Sequence, residues 1–260
     1  MSTNPKRPAF DWKLFFVLWA SAMVSTLALF PYLLATGILN LAQLPVPLST
    51  IIRIQLTQSA LIYGVAISFG LILAKRVGFG APYLEAWLSS KAAPGEFKGS
   101  LKTAIPLGLS AGLIILVLDL LVFSPLLPAS APKTQFPAWT GFLASFYGAI
   151  TEELLLRLGF MTLIAWASRL IASTPDHRPK NLGVWTAIIL SSIVFGIGHL
   201  PATAKMMALT PLVVSRAVIL NGIPSVAFGW LYWRHGLEAA MLAHFTADLV
   251  LHVIAPAAIP

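Results

Sequence analysis

Apolar residues run through this chain in long stretches, and polar residues gather in the short intervals between them. Windows near 14–36, 51–74, 103–123, 138–167, 183–199, 211–233 and 237–255 are each long enough for a helix to cross a bilayer, about 17–25 residues being the usual requirement. The intervals carry turn chemistry: Leu44-Pro45-Val46-Pro47, Gly78-Phe79-Gly80-Ala81-Pro82, the stretch from Pro125 to Pro137, and Thr174-Pro175-Asp176-His177-Arg178-Pro179. The pattern predicts an all-α fold, a polytopic transmembrane helical bundle of about seven to eight spans. No internal repeat or low-complexity tract interrupts it.

Composition agrees: 58% of the 260 residues are hydrophobic and 10% charged, and the mean hydropathy is +0.84. A soluble domain carries about 25% charged residues, so the deficit points to a membrane protein. Without cysteine, neither disulfides nor thiolate chemistry is available. The net charge of +8 raises nucleic acid as a partner, but no basic and aromatic surface is left outside the spans to bind it. Positive charge instead orients the bundle and meets membrane lipid. Lys6, Arg7 and Lys13 precede the first window, and Lys75, Arg76, Lys91, Lys98 and Lys102 fill the second connection. Arg169, Arg178, Lys180 and Arg234 fall on the same side, against Lys133 and Lys205 in the opposite loops. A cytoplasmic N-terminus and an outside C-terminus follow from seven spans. Leu14 to Leu39 is expected to be the first span, not a signal peptide, because no small-residue cleavage site follows a short apolar core. Tyr83-Leu84-Glu85-Ala86-Trp87-Leu88 is expected to lie at the interface as a surface helix, or else to serve substrate entry.

Against this background Glu152-Glu153, with Arg157 one turn on, stands inside the apolar run from Ala138 to Ala167. A carboxylate at the bilayer centre costs on the order of 3 kcal/mol, so a pair persists only if paired, protonated or facing a polar cavity. Glu153 and Arg157 are four apart and share a face. Glu152, about 100° further round an α-helix, lacks that partner and is free to face a cavity as a general base or acid. The alternative is a buried polar cluster that only locks helices together.

Two further windows carry polar side chains. Phe195-Gly196-Ile197-Gly198-His199 ends the fifth, where the glycines allow a neighbouring backbone to approach and His199 offers an imidazole for proton transfer or a metal. Taken alone, a histidine at a helix end is an interfacial residue. In the last window His244 and Asp248 share one helix face, an arrangement that orients a ring for catalysis or metal ligation, or that merely satisfies itself. His252 continues that stripe, but its closeness to Pro256 predicts an interfacial place, as for Asp119 and Arg53. No His-Glu-x-x-His spacing occurs, which favours a metal-free reading over a zinc site.

In order, Glu152-Glu153-x-x-x-Arg157, Phe195-x-x-x-His199 and His244-x-x-x-Asp248 resemble the three motifs of the CAAX-protease and bacteriocin-processing family of intramembrane endopeptidases. The resemblance covers roughly residues 138 to 255, which divides the chain into N-terminal helices with an interfacial segment, 1–137, and a catalytic core, 138–255. It implies a helical bundle with an internal active-site cavity in a bacterial plasma membrane, and a hydrophobic or lipidated peptide as substrate. Glu152 matches the general base, His199 the residue that holds the water, and His244 the residue that stabilises the oxyanion. Asp248 falls where that role is often shared with asparagine; an ionised aspartate only accepts hydrogen bonds, so it is expected to orient His244 or to act protonated. Glu153, Arg157 and Phe195 are supporting residues, and no cofactor is implied. A scaffold or immunity protein and a proton-coupled transporter are the alternatives, the latter weakened by the lack of repeat symmetry. Seven straight spans would put His199 near the outer end of its helix and His244 nearer the inner end of its own, so a shared site requires a tilted, broken or displaced helix.

Overall fold

Among the described residues, seven helices are long and apolar enough to cross a membrane: Trp12–Ala35, Leu48–Val77, Lys98–Leu126, Ala138–Ile171, Asn181–Met206, Pro211–His235 and Leu237–Ala258, called here the first to seventh spans. The chain is an integral membrane protein. The computed structural model describes residues 10–92, 97–128 and 136–258; Lys6, Arg7, Lys133 and most of the stretch from Pro125 to Pro137 lie outside them. Several spans overrun the apolar windows, because basic residues such as Lys98, Lys102 and Arg169 keep helical backbone while their long side chains reach towards water. The fifth span also continues past His199, through a short helix Leu200–Met206.

Helix starts and stops follow local chemistry. Asp11 caps the first span by accepting from the Leu14 N–H at 3.0 Å. Gly78 ends the second in the left-handed region, at φ 79°. Thr210 caps the sixth, with Pro211 at its first position. The outer surface keeps Phe16, Leu61, Phe69, Leu121 and Leu163 exposed, as lipid-facing side chains should be.

Close packing replaces hydrophobic collapse between spans. Gly108 and Gly112 of the third span face the backbone of Ala243 and Ala247 in the seventh; a Cβ on Gly112 would lie 2.9 Å from the Ala247 carbonyl oxygen. Four-residue spacing of small residues on both helices is what allows such an approach. Gly196 likewise meets the Val218 backbone of the sixth span, as its position predicts, whereas Gly198 meets nothing. Hydrogen bonds add to this: Ser25 with Thr151 at 2.6 Å, Thr162 with Tyr232 at 2.8 Å, and the Trp19 indole donating to the Ala60 carbonyl at 2.9 Å.

Contacts at the span ends define two faces. On one, the Leu237 N–H donates to the Gly80 carbonyl at 2.9 Å, Tyr83 bonds Ser100, and Arg169 donates to the His177 carbonyl at 3.2 Å. On the other, Tyr32 packs against Phe136 and His252, and Arg216 makes a two-pronged pair with Asp119 at 2.6 and 2.7 Å. Asp119 is therefore an interhelical partner and not merely interfacial, while Arg53 is exposed and bonds its own helix at Ser49. The Pro82–Leu88 helix is docked, not free: Glu238 accepts from the Tyr83 and Leu84 N–H groups at 3.0 and 2.7 Å. That contact starts the seventh span against the loop after the second.

Candidate active site

The fourth span does not keep α-helical winding where its charges sit. Tyr147–Glu152 and Leu154–Met161 are π-helical, and the Thr162 hydroxyl donates five residues back to the Arg157 carbonyl at 2.9 Å. Wider turns of this kind concentrate at functional sites. Here they change the angle between neighbouring side chains, so Glu152 lines a cavity while Glu153 points into the bundle.

Glu153 and Arg157 are both 0% exposed, with Arg157 Nε 3.2 Å from Glu153 Oε2. Arg157 Nη2 donates to the Ser225 carbonyl and hydroxyl at 2.9 and 2.8 Å, which ties the fourth span to the sixth. Its guanidinium also lies 5.3 Å from the Phe195 ring centre and 5.8 Å from that of Phe228. The other oxygen of Glu153 holds His244: Nδ1 to Oε1 is 2.8 Å. The carboxylate that orients the His244 ring is thus Glu153. Asp248, expected in that role from its place on the same helix face, has Oδ1 3.7 Å from Nε2, beyond a direct hydrogen bond.

Glu152 is reached from two helices. His199 Nε2 is 4.0 Å from its Oε1, and His244 Nε2 is 3.8 Å from its Oε2. His199 caps the straight part of the fifth span, and its Nδ1 lies 2.8 Å from the Phe195 carbonyl. A carbonyl only accepts, so Nδ1 carries the hydrogen and a neutral ring turns its Nε2 lone pair towards Glu152. Phe195 packs edge-on against His199 and His244, with ring centres at 4.7 and 5.6 Å. Phe228, which the sequence did not single out, stacks on His244 at 4.7 Å.

The spans therefore bring Glu152, His199, His244 and Asp248 to one place, and the expected depth mismatch does not arise. The seventh span is anchored at its start by Gly80, Tyr83 and Leu84, and His244, two turns on, stands with Nε2 3.8 Å from Glu152 Oε2. His252 is not interfacial: it lines the same cavity, with Nε2 3.9 Å from Asp248 Oδ1. Gly148 was also missed. A Cβ there would strike Asp248 Oδ2 and lie 3.1 Å from His244 Nε2, so a larger residue would displace the tips of both side chains.

The cavity has a volume of about 590 Å³. Glu152, His199, Asn221, His244, Asp248 and His252, with the Tyr32 and Tyr147 side chains, form its polar part, and Leu33, Ile115, Leu155, Val194 and Leu251 are among its apolar walls. An apolar cleft with a few convergent polar groups is the usual form of a binding or active site.

Comparison with curated proteins gives no match, and neither does comparison with solved structures. Among protein families, residues 134–250 match the one described as Rce1-like, type II CAAX prenyl endopeptidase Rce1-like. All three motifs lie within those residues, and the match agrees with the resemblance to the CAAX-protease and bacteriocin-processing family, a family of intramembrane CAAX-type proteases.

Proposed function

We propose that this protein is a glutamate-type intramembrane endopeptidase whose catalytic core, residues 138–255, activates water between Glu152 and His199. The observation that carries the reading is the convergence of two imidazole Nε2 atoms on one carboxylate at a cavity wall. Separations of 4.0 and 3.8 Å are too long for direct bonds and leave room for a water oxygen within hydrogen-bond reach of both partners. Neutral His199 accepts one hydrogen of that water through Nε2, and Glu152 takes the proton as the oxygen attacks the peptide carbonyl. His244, as the doubly protonated ring, donates its Nδ1 hydrogen to Glu153 and turns its Nε2 hydrogen towards the developing oxyanion. Asp248, protonated, donates beside it. Glu152 then returns its proton to the leaving amine.

Metal-free chemistry suits this spacing. Donor atoms on a tetrahedral zinc lie about 3.4 Å apart, given bonds near 2.1 Å, closer than Nε2 and Oε stand here. The substrate in this reading is a hydrophobic or lipidated peptide held among the apolar walls, and the setting is a bacterial plasma membrane with the N-terminus in the cytoplasm. The test compares membrane peptides from cells carrying the native chain and Glu152→Ala. A polypeptide that accumulates uncut in the variant, and that purified native protein then cleaves in the presence of a chelator, is the expected result. Cleavage by purified Glu152→Ala at the native rate overturns the mechanism.

A further inference from the structure

Cations and cavity occupy opposite ends of the bundle. Lys13 begins the first span, Lys75 and Arg76 end the second, and Lys91, Lys98 and Lys102 lie in or beside the next connection. Arg169, Arg178 and Lys180 follow the fourth span or precede the fifth, and Arg234 ends the sixth. These ten are at the face where Leu237 meets Gly80 and Arg169 meets His177. Only Arg53, Lys205 and Arg216 of the described residues are at the other face, and Arg216 is neutralised by Asp119. Arg157 is buried between the two.

Most of the cavity wall comes from the cation-poor half of the bundle, and Phe228 and His244 close its inner end. Leu29, Tyr32 and Leu33 are at the finish of the first span, and Ile115 is far along the third from Lys98. Ala144 and Gly148 are early in the fourth, Gly198 and Ala202 late in the fifth, and Leu251 and His252 late in the seventh. Five helices agree, so tilt in any one does not alter the assignment. Short connections retain Lys and Arg on the cytoplasmic side, and all of these connections are short.

We infer that the cavity opens on the non-cytoplasmic face, and that the bond cut there belongs to a polypeptide segment emerging from the membrane on that side. A carboxyl terminus held in the cytoplasm would have to cross the cation-rich half of the bundle, past buried Glu153 and Arg157, to reach Glu152. The side follows from charge; the bond cutting rests on the peptidase reading above. Apolar walls such as Leu33, Ile38 and Val194 suit hydrophobic residues flanking the bond.

The native chain has no cysteine, so single-cysteine variants report position without any background removal. Ala202→Cys and Ile38→Cys line the cavity, and Asp176→Cys is exposed on the cation-rich face. With a membrane-impermeant maleimide on intact spheroplasts, Ala202→Cys and Ile38→Cys should label and Asp176→Cys should not; inverted vesicles should reverse the pattern. The opposite pattern overturns the orientation, whatever the enzyme does. If the labelling holds but polypeptides accumulating in Glu152→Ala cells have their cut bonds in cytoplasmic segments, the substrate assignment falls. If the labelling holds and no polypeptide accumulates, the peptidase reading falls and the opening of the cavity stands.

Discussion

His244 Nδ1 and Glu153 Oε1 lie 2.8 Å apart, on the seventh and fourth spans. The second oxygen of Glu153 stands 3.2 Å from Arg157 Nε, so one buried carboxylate joins a ring that faces the cavity to a guanidinium that faces the sixth span. Two adjacent glutamates divide the work. One carboxylate fixes the ring, and its neighbour is left at the cavity wall with two Nε2 atoms pointed at it.

Removing Glu153 should accordingly damage the fold as well as the chemistry. Glu153→Ala strands a fully buried guanidinium, and breaking a buried pair on one side costs about 3–5 kcal/mol. Thermal unfolding of the purified variant in detergent should show a clear fall in Tm, with cleavage lost. Glu152→Ala, altering a partly exposed side chain, should lose cleavage while keeping Tm near native. Equal losses of Tm in both would contradict the division.

The sequence made the spans and the three motifs legible because apolar length and isolated charge are local properties. Pairing across helices is not local. Asp248 is four residues from His244 and was the natural partner for its ring, yet Glu153, 91 residues away, makes the bond. The π-helical turns at Tyr147–Glu152 and Leu154–Met161 have no composition of their own, so an α-helical step was assumed for the two glutamates. His252 was misplaced because nearness to Pro256 suggested an interface, whereas the helix continues and keeps the ring in the cavity beside Tyr32. Phe228 and Gly148 carry no polar atoms in their side chains and gave no signal until packing placed them on His244.

Gly148→Ala tests how tightly the fourth span must approach the seventh. The added methyl meets Asp248 Oδ2 and His244 Nε2, both on a helix that is pinned elsewhere. Overpacking of this sort costs about 1–3 kcal/mol. Displacement of the two side chains should reduce cleavage more than it reduces Tm. A variant with native activity would show that the seventh span moves freely at this point.

Asp248 supplies a test of what the oxyanion requires. Its carboxyl group lies 3.7 Å from His244 Nε2 and 3.9 Å from His252 Nε2, close enough to share a reacting group with both and bonded directly to neither. Asp248→Asn offers an amide donor with nearly the same shape and should retain cleavage. Asp248→Leu keeps the volume and removes the donor, and should lower kcat by about 10²–10³, the usual effect of deleting one oxyanion donor. Equal activity in Asn and Leu variants would remove Asp248 from the chemistry.

The glycine seam between the third and seventh spans should govern activity at a distance. A Cβ on Gly108 would lie 2.8 Å from Thr246 Cβ and 2.9 Å from Ala243 Cα, and one on Gly112 would lie 2.8 Å from Val250 Cβ. Those partners flank His244 and Asp248, so a larger residue in the third span pushes the reacting side chains towards the fourth or turns them out of register with Glu153. Gly108→Leu and Gly112→Leu should each lower Tm and cleavage together, although neither residue touches the cavity. Gly99→Leu serves as the control, because nothing lies within 4 Å of its added carbon. Loss of cleavage in all three variants alike would point to general intolerance of the helix; loss confined to positions 108 and 112 assigns it to the seam.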